Sequence, residues 1–119
     1  ANRMQHALWR EAISIVAHGI ADAATVDEAV RSSFGLRLPV LGPMENADMV
    51  GTDLTLSIHE YMLQHLENDP TPSPLLHEKV AAGELGFKTK KGFQEWDDEK
   101  IAASRRKLSE HLIKMLYNK

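Results

Sequence analysis

The sequence contains no cysteine, which excludes disulfides, thiolate nucleophiles and cysteine-ligated zinc. Such a composition suits a reducing compartment, and a cytoplasmic location is expected. Basic residues do not dominate: 14 Lys and Arg stand against 17 Asp and Glu, a formal net charge of -3. That balance gives no attractive field for a nucleic-acid backbone, and the one dense basic run, Lys88 to Lys91, is short. No apolar run of about 18 residues offers a membrane span, and the first residues lack the charged-then-apolar pattern of a leader peptide. Neither nucleic acid nor membrane is an expected partner. The chain opens at Ala1 inside a helical pattern without an initiator Met, as expected of a piece of something longer.

What the sequence does have is glycine and proline concentrated between helical patterns. Seven glycines and five prolines punctuate two segments above all, Gly35 to Asp53 and Gly83 to Trp96. Each marks backbone geometry that a generic residue would strain, so a binding surface is expected on these loops. With 119 residues the chain is expected to form a single domain, 1–119, and to bury about two thirds of the surface of its unfolded state.

Apolar residues at Met4, Leu8, Ala12, Ile15 and Val16 follow helical spacing, and Gly19 is a suitable stop. A second stripe on that helix, Trp9, Ile13, Val16 and Ile20, implies neighbours on two sides, whether this domain's own core or another domain or subunit. Thr25 to Glu28 has the form of a capping box, with a short helix running to about Ser33 and Gly35 in a left-handed cap position. Pro39, Gly42 and Pro43 are expected to keep the chain irregular until about Glu45. Thr52 or Asp53 then caps a helix with Leu54, Ile58, Tyr61 or Met62, and Leu66 on one face. Ser73-Pro74 pairs a cap with proline at the first helical position, in a helix closed by Gly83. Asp97 opens a final charged helix, 97–118, with Ile101, Leu108, Leu112, Met115 and Leu116 on one face. Apart from Gly92 to Trp96, no segment alternates with period two. The expected fold is all-α, a bundle of about five helices.

The chemistry-bearing motifs are incomplete. His59-Glu60 followed by His65 resembles a zinc-binding helix, but that motif needs its two histidines four positions apart to share a face, and these are six apart; no metal site is expected. Gly86, Lys88 and Thr89 come in the wrong order for a phosphate loop, and a helix precedes them. No GxGxxG follows a candidate strand, and no Ser/His/Asp constellation is evident.

The ordered set of loop residues is more telling. Asn2-Arg3 opens a helix containing Glu11-Ala12; then come Gly19-Ile20-Ala21, Asp27, Gly35, Gly42-Pro43, Asp48, Val50-Gly51-Thr52-Asp53, Gly83-Glu84-Leu85-Gly86-Phe87-Lys88-Thr89 and Gly92-Phe93. In this order, over about residues 2–96, the chain resembles the C-terminal domain of the 3-hydroxyacyl-CoA dehydrogenase family, an all-helical fold of the kind also found in 6-phosphogluconate dehydrogenases. The resemblance implies a two-domain NAD-dependent oxidoreductase of fatty acid metabolism, converting 3-hydroxyacyl-CoA to 3-oxoacyl-CoA. Its Rossmann domain, absent from this chain, would bind NAD and carry a His/Glu pair for proton transfer. The domain present would bind substrate and make a homodimer interface, and alone it would be inactive.

Asn2 matches the family's active-site asparagine, whose amide would hydrogen-bond the reacting oxygen or orient the catalytic histidine; from spacing alone it is equally a helix N-cap. The segment holding Arg37, Pro39, Gly42 and Pro43 is the implied substrate-binding loop. Two departures stand out. Lys90 takes the place where the family usually has a second glycine in its KTGxGFY run, which tests whether a positive φ is required there, and Gln94 replaces the usual aromatic. Gly35-Leu36-Arg37 resembles relatives acting on small carboxylated substrates of the gulonate, carnitine or pyridine-carboxylate type, where an arginine can grip a carboxylate with two hydrogen bonds. Otherwise Arg37 is a solvated side chain or an ion-pair partner of Glu45 or Asp48. A non-catalytic helical interaction module is the alternative from another class.

Overall fold

The computed structural model describes residues 1–117. Among them are six α-helices, three short 3-10 turns and isolated β-bridges, an all-α architecture. The chain divides into two compact units, 1–75 and 76–119.

The first unit begins with α1 (Asn2–Ala17) and α2 (Ala23–Ser32). Gly19, at φ +69, turns the chain out of α1 as its position predicts. The cap of α2 differs from expectation. Asp22, not Thr25, is the N-cap, and its carboxylate accepts the Thr25 N-H at 2.8 Å. An aspartate three residues ahead satisfies the same orphan amide and starts the helix three residues earlier. Glu28 instead turns along the helix to accept from Ser32 and Arg31, and hydrogen bonds from both hold its carboxyl below the usual range.

A 3-10 turn, Phe34–Leu36, follows. Gly35 has no positive φ, so it is not a left-handed cap. Its requirement is space: a Cβ there would stand 2.5 Å from the Val30 carbonyl oxygen. The segment after Gly42 is also more regular than expected, because α3 spans Pro43–Val50 with Gly42 as N-cap and Pro43 in the first turn. Proline lacks only an N-H that the first turn leaves unpaired in any case, so it starts this helix rather than delaying it. Gly51, at φ +104, is the N-cap of α4 (Thr52–Met62), displacing the expected Thr52 or Asp53.

The division between the units falls within α5 (Pro74–Ala81). Ser73 Oγ accepts from Leu75 N at 3.2 Å, and Gly83 at φ +74 closes the helix, both as expected. A loop built on a 3-10 turn, Phe87–Thr89, leads to α6 (Asp98–Tyr117). Its N-terminus is capped by Asp97, which accepts from Lys100 N at 2.7 Å.

The expected burial is not reached. Among the described residues Ile101 alone is buried, and the accessible surface is 9762 Å². Two separate closed bodies of these lengths would together expose about 7,700 Å². Apolar side chains on α1, α3, α4 and α6, including Trp9, Met44, Leu54 and Leu112, stay open. No described helix is long and apolar enough to cross a membrane.

Candidate functional site

The first unit fixes α1 through one of its faces. Glu11 Oε2 accepts the Glu67 backbone N-H at 2.8 Å. One turn further on, the Ser14 hydroxyl donates to Glu67 Oε2 at 3.0 Å. The other carboxylate oxygen of Glu67 accepts from Asn68 N and Asp69 N. These bonds, led by the Asp69 amide and then the Ser14 hydroxyl, hold the Glu67 carboxyl below its ordinary value. His18 closes the same face, with Nδ1 at 2.8 Å from the Ser14 carbonyl oxygen. Sequence reasoning singled out neither Ser14 nor Glu67, and no local spacing signals a bond across 53 positions.

Asn2 occupies the first helical position of α1; the N-cap is Ala1, and no side chain caps the helix. The capping role open to Asn2 from its sequence is therefore not the one it plays. Its side chain is exposed, on the same side of the helix as an aromatic pair one and two turns on: His6 and Trp9, rings 5.0 Å apart and nearly perpendicular.

Arg37 follows the 3-10 turn after α2. Its backbone is well tied, with N donating to Phe34 O and O accepting from Val40 N and Leu41 N. Its side chain is exposed, and among the described residues it forms no ion pair with Glu45 or Asp48. Pro39 lies exposed in the same turn, while Gly42 and Pro43 begin α3. No hydrogen bond links Asn2 to this segment among the described residues; the two belong to different elements of one unit.

In the second unit the loop from Gly83 to Trp96 is tied to itself. Thr89 Oγ1 accepts from Leu85 N at 2.8 Å and lies 3.0 Å from the Lys91 carbonyl, while Gly86 N donates to Lys91 O at 2.9 Å. Amides that a phosphate loop would present to a ligand are thus spent internally. Lys90 adopts φ 63, ψ 16, so the left-handed conformation is kept although glycine is not. Its amide carbonyl receives Trp96 N at 2.9 Å, and Trp96 packs edge-on against Phe87 with centroids 4.6 Å apart. Arg105 covers Phe87 at 5.6 Å. Glu84 pairs with both Lys79 and Lys91, and the Lys79 hydrogen bond leads in lowering its carboxyl pKa.

Among the described residues no group of three or more His, Asp or Glu is placed to hold a metal ion. Nor is there a strand leading into a glycine loop and helix, the unit that cradles a dinucleotide; these residues do not fit NAD.

Similarity to known proteins agrees with this architecture. Residues 1–96 match the sequence family described as 3-hydroxyacyl-CoA dehydrogenase, C-terminal domain. The 5-formyl-3-hydroxy-2-methylpyridine 4-carboxylate 5-dehydrogenase of Mesorhizobium japonicum is 30% identical over 112 residues, 94% of this chain and 36% of that protein. A probable 3-hydroxybutyryl-CoA dehydrogenase of Deinococcus radiodurans is 37% identical over 97 residues, 81% of this chain and 34% of the relative. An L-carnitine dehydrogenase of Streptomyces griseus is 42% identical over 65 residues, 55% of this chain and 18% of the relative. A crystal structure of a 5-formyl-3-hydroxy-2-methylpyridine 4-carboxylic acid 5-dehydrogenase, described as an NAD+ dependent dismutase, superposes with TM-score 0.90 at 30% identity, covering 94% of this chain and 36% of that one. The chain spans about a third of the length of the first two relatives. With its helices, its loop glycines and this match over residues 1–96, the chain belongs to the 3-hydroxyacyl-CoA dehydrogenase C-terminal domain family.

Proposed function

We propose that this domain forms the substrate side of the active site in an NAD-dependent oxidoreductase acting on a small carboxylated substrate. The observation that carries the reading is Arg37, exposed on the loop before α3 and without an acidic partner among the described residues. A guanidinium with no internal partner is available to hold a carboxylate through two parallel hydrogen bonds. Relatives named for a pyridine carboxylate and for carnitine lend support. Asn2, exposed and unused as a cap, would direct its amide N-H to the reacting oxygen or hold the catalytic histidine in place. Pro39, Gly42 and Pro43 would shape the loop that presents Arg37. NAD would be held by a Rossmann domain elsewhere in the full-length protein.

The second reading, turnover of a 3-hydroxyacyl-CoA in fatty acid metabolism, is favoured by the relatives named as 3-hydroxybutyryl-CoA dehydrogenases. The two separate in one assay. The full-length enzyme, given NAD and either L-carnitine, gulonate, a pyridine carboxylate or 3-hydroxybutyryl-CoA, turns over one of the small substrates, and Arg37→Met raises KM for it. Preference for the thioester, with Arg37→Met silent, contradicts the carboxylate reading.

We also propose a cytoplasmic homodimer. Roughly 2,000 Å² of surface stays open beyond what two closed bodies would leave, on the scale of a standard protein interface. Light scattering at the mass of a monomer would overturn this.

A further inference from the structure

Residues 2–10 of α1 are exposed on every side, and residues 11–16 are half-buried. At about 100° per residue, Asn2, His6 and Trp9 fall within roughly 60° of one another, whereas Glu11, Ser14 and His18 lie roughly 150° round the helix. Glu11 and Ser14 are bonded to Glu67, which ties that side of α1 to the segment after α4. Trp9 keeps 48% of its surface exposed. Its contact with His6 is edge-to-face, 5.0 Å between centroids and 76° between planes, and such a pair leaves at least one indole face open.

The axial distance is suitable as well. Trp9 stands about 10 Å along the axis from Asn2, and helical side chains lean toward the N-terminus, which carries the indole back over the preceding turn toward Asn2. A small molecule with its reacting oxygen at the Asn2 amide can therefore reach the indole with its far end. Gln5, His6, Ile13 and Val16 on the same face bear no acidic group.

We propose that Trp9 is a specificity-determining residue of the Asn2 site, receiving the non-reacting end of a small substrate against its indole face, with His6 holding the ring in position. This rests on the reading that places Asn2 at the reacting centre. A flat heteroaromatic ring and a quaternary ammonium group share the required chemistry, since both bind an aromatic π-face; an aliphatic thioester lacks it.

The test uses the full-length enzyme with NAD and, separately, the pyridine carboxylate, L-carnitine and 3-hydroxybutyryl-CoA. Trp9→Leu should raise KM for the ring or ammonium substrate about tenfold, the effect expected of losing one such contact, with kcat within about twofold. Trp9→Phe should restore most of the loss, and His6→Leu should give a smaller rise. A second measurement avoids dependence on the leucine variant folding. In wild-type enzyme labelled with 5-fluorotryptophan, the Trp9 ¹⁹F resonance, assigned with Trp9→Phe, should shift on adding the pyridine carboxylate or L-carnitine. An unmoved Trp9 resonance and an unchanged KM overturn the inference, as does a change of particle mass in Trp9→Leu with KM intact, which would make the ring an assembly contact. Wild-type activity on the thioester alone contradicts the carboxylate reading, and is distinguished from failure of this inference by the fluorine signal.

Discussion

Ser14 donates its hydroxyl hydrogen to Glu67 Oε2 at 3.0 Å, joining α1 to the segment after α4. Glu11 accepts the Glu67 amide one turn earlier, so two residues on one side of α1 are tied to Glu67 while Asn2 and Trp9 lie on the other.

A pH dependence follows from that bond. The Glu67 carboxyl is depressed from an ordinary value of 4.5 because its ionised form accepts hydrogen bonds in the fold. A depressed acid stabilises the folded state above its unfolded value, and the contribution is lost as pH falls from 4.5 through the folded value. Glu67 should therefore contribute to a fall in melting temperature as pH drops below 4.5. Glu67→Gln should lower the melting temperature at pH 7 and flatten that acid slope; an unchanged slope would show that the carboxylate has no such role.

Lys90 is the one non-glycine residue with positive φ among the described residues. The left-handed conformation costs an L-residue with a Cβ about 1–2 kcal/mol, while the exposed Lys90–Asp98 pair at 3.2 Å returns less. Lys90→Gly should raise stability by about 1 kcal/mol, read as an increase in denaturant midpoint at unchanged slope. A decrease would mean that the loop relies on the lysine side chain.

Two glycines with the same look in sequence should behave differently. A Cβ at Gly35 meets the Val30 carbonyl at 2.5 Å, and one at Gly42 meets nothing within 4 Å. Gly35→Ala should cost about 1–3 kcal/mol, whereas Gly42→Ala, which meets no clash and loses only a glycine N-cap, should cost no more than about 1 kcal/mol. Chemical denaturation of both variants checks this.

Local signals in the sequence carried most of the fold. Gly19, Ser73-Pro74, Gly83 and Asp97 end or begin helices where their chemistry places them. Where two caps competed, propensity alone did not choose: Asp22 took the amide that Thr25 to Glu28 had been expected to settle, and Pro43 opened a helix it had been expected to postpone. The family's loop order was legible, and so was the demand for positive φ at Lys90. The orientation of α1 was not, since Glu11 and Ser14 meet Glu67 across 56 and 53 positions, which no local spacing signals. The second stripe of α1 marked Trp9 and Ile20 as a surface in want of a neighbour, but spacing did not foretell that apolar side chains on α3, α4 and α6 stay exposed as well.

Whether this domain supplies Asn2 to an active site is decided by steady-state kinetics of full-length Asn2→Ala against wild type, with NAD affinity measured alongside. Loss of one amide that stabilises charge at a reacting oxygen should lower kcat about 100-fold and leave NAD binding unchanged. Equal kcat in the two proteins would remove Asn2 from the chemistry.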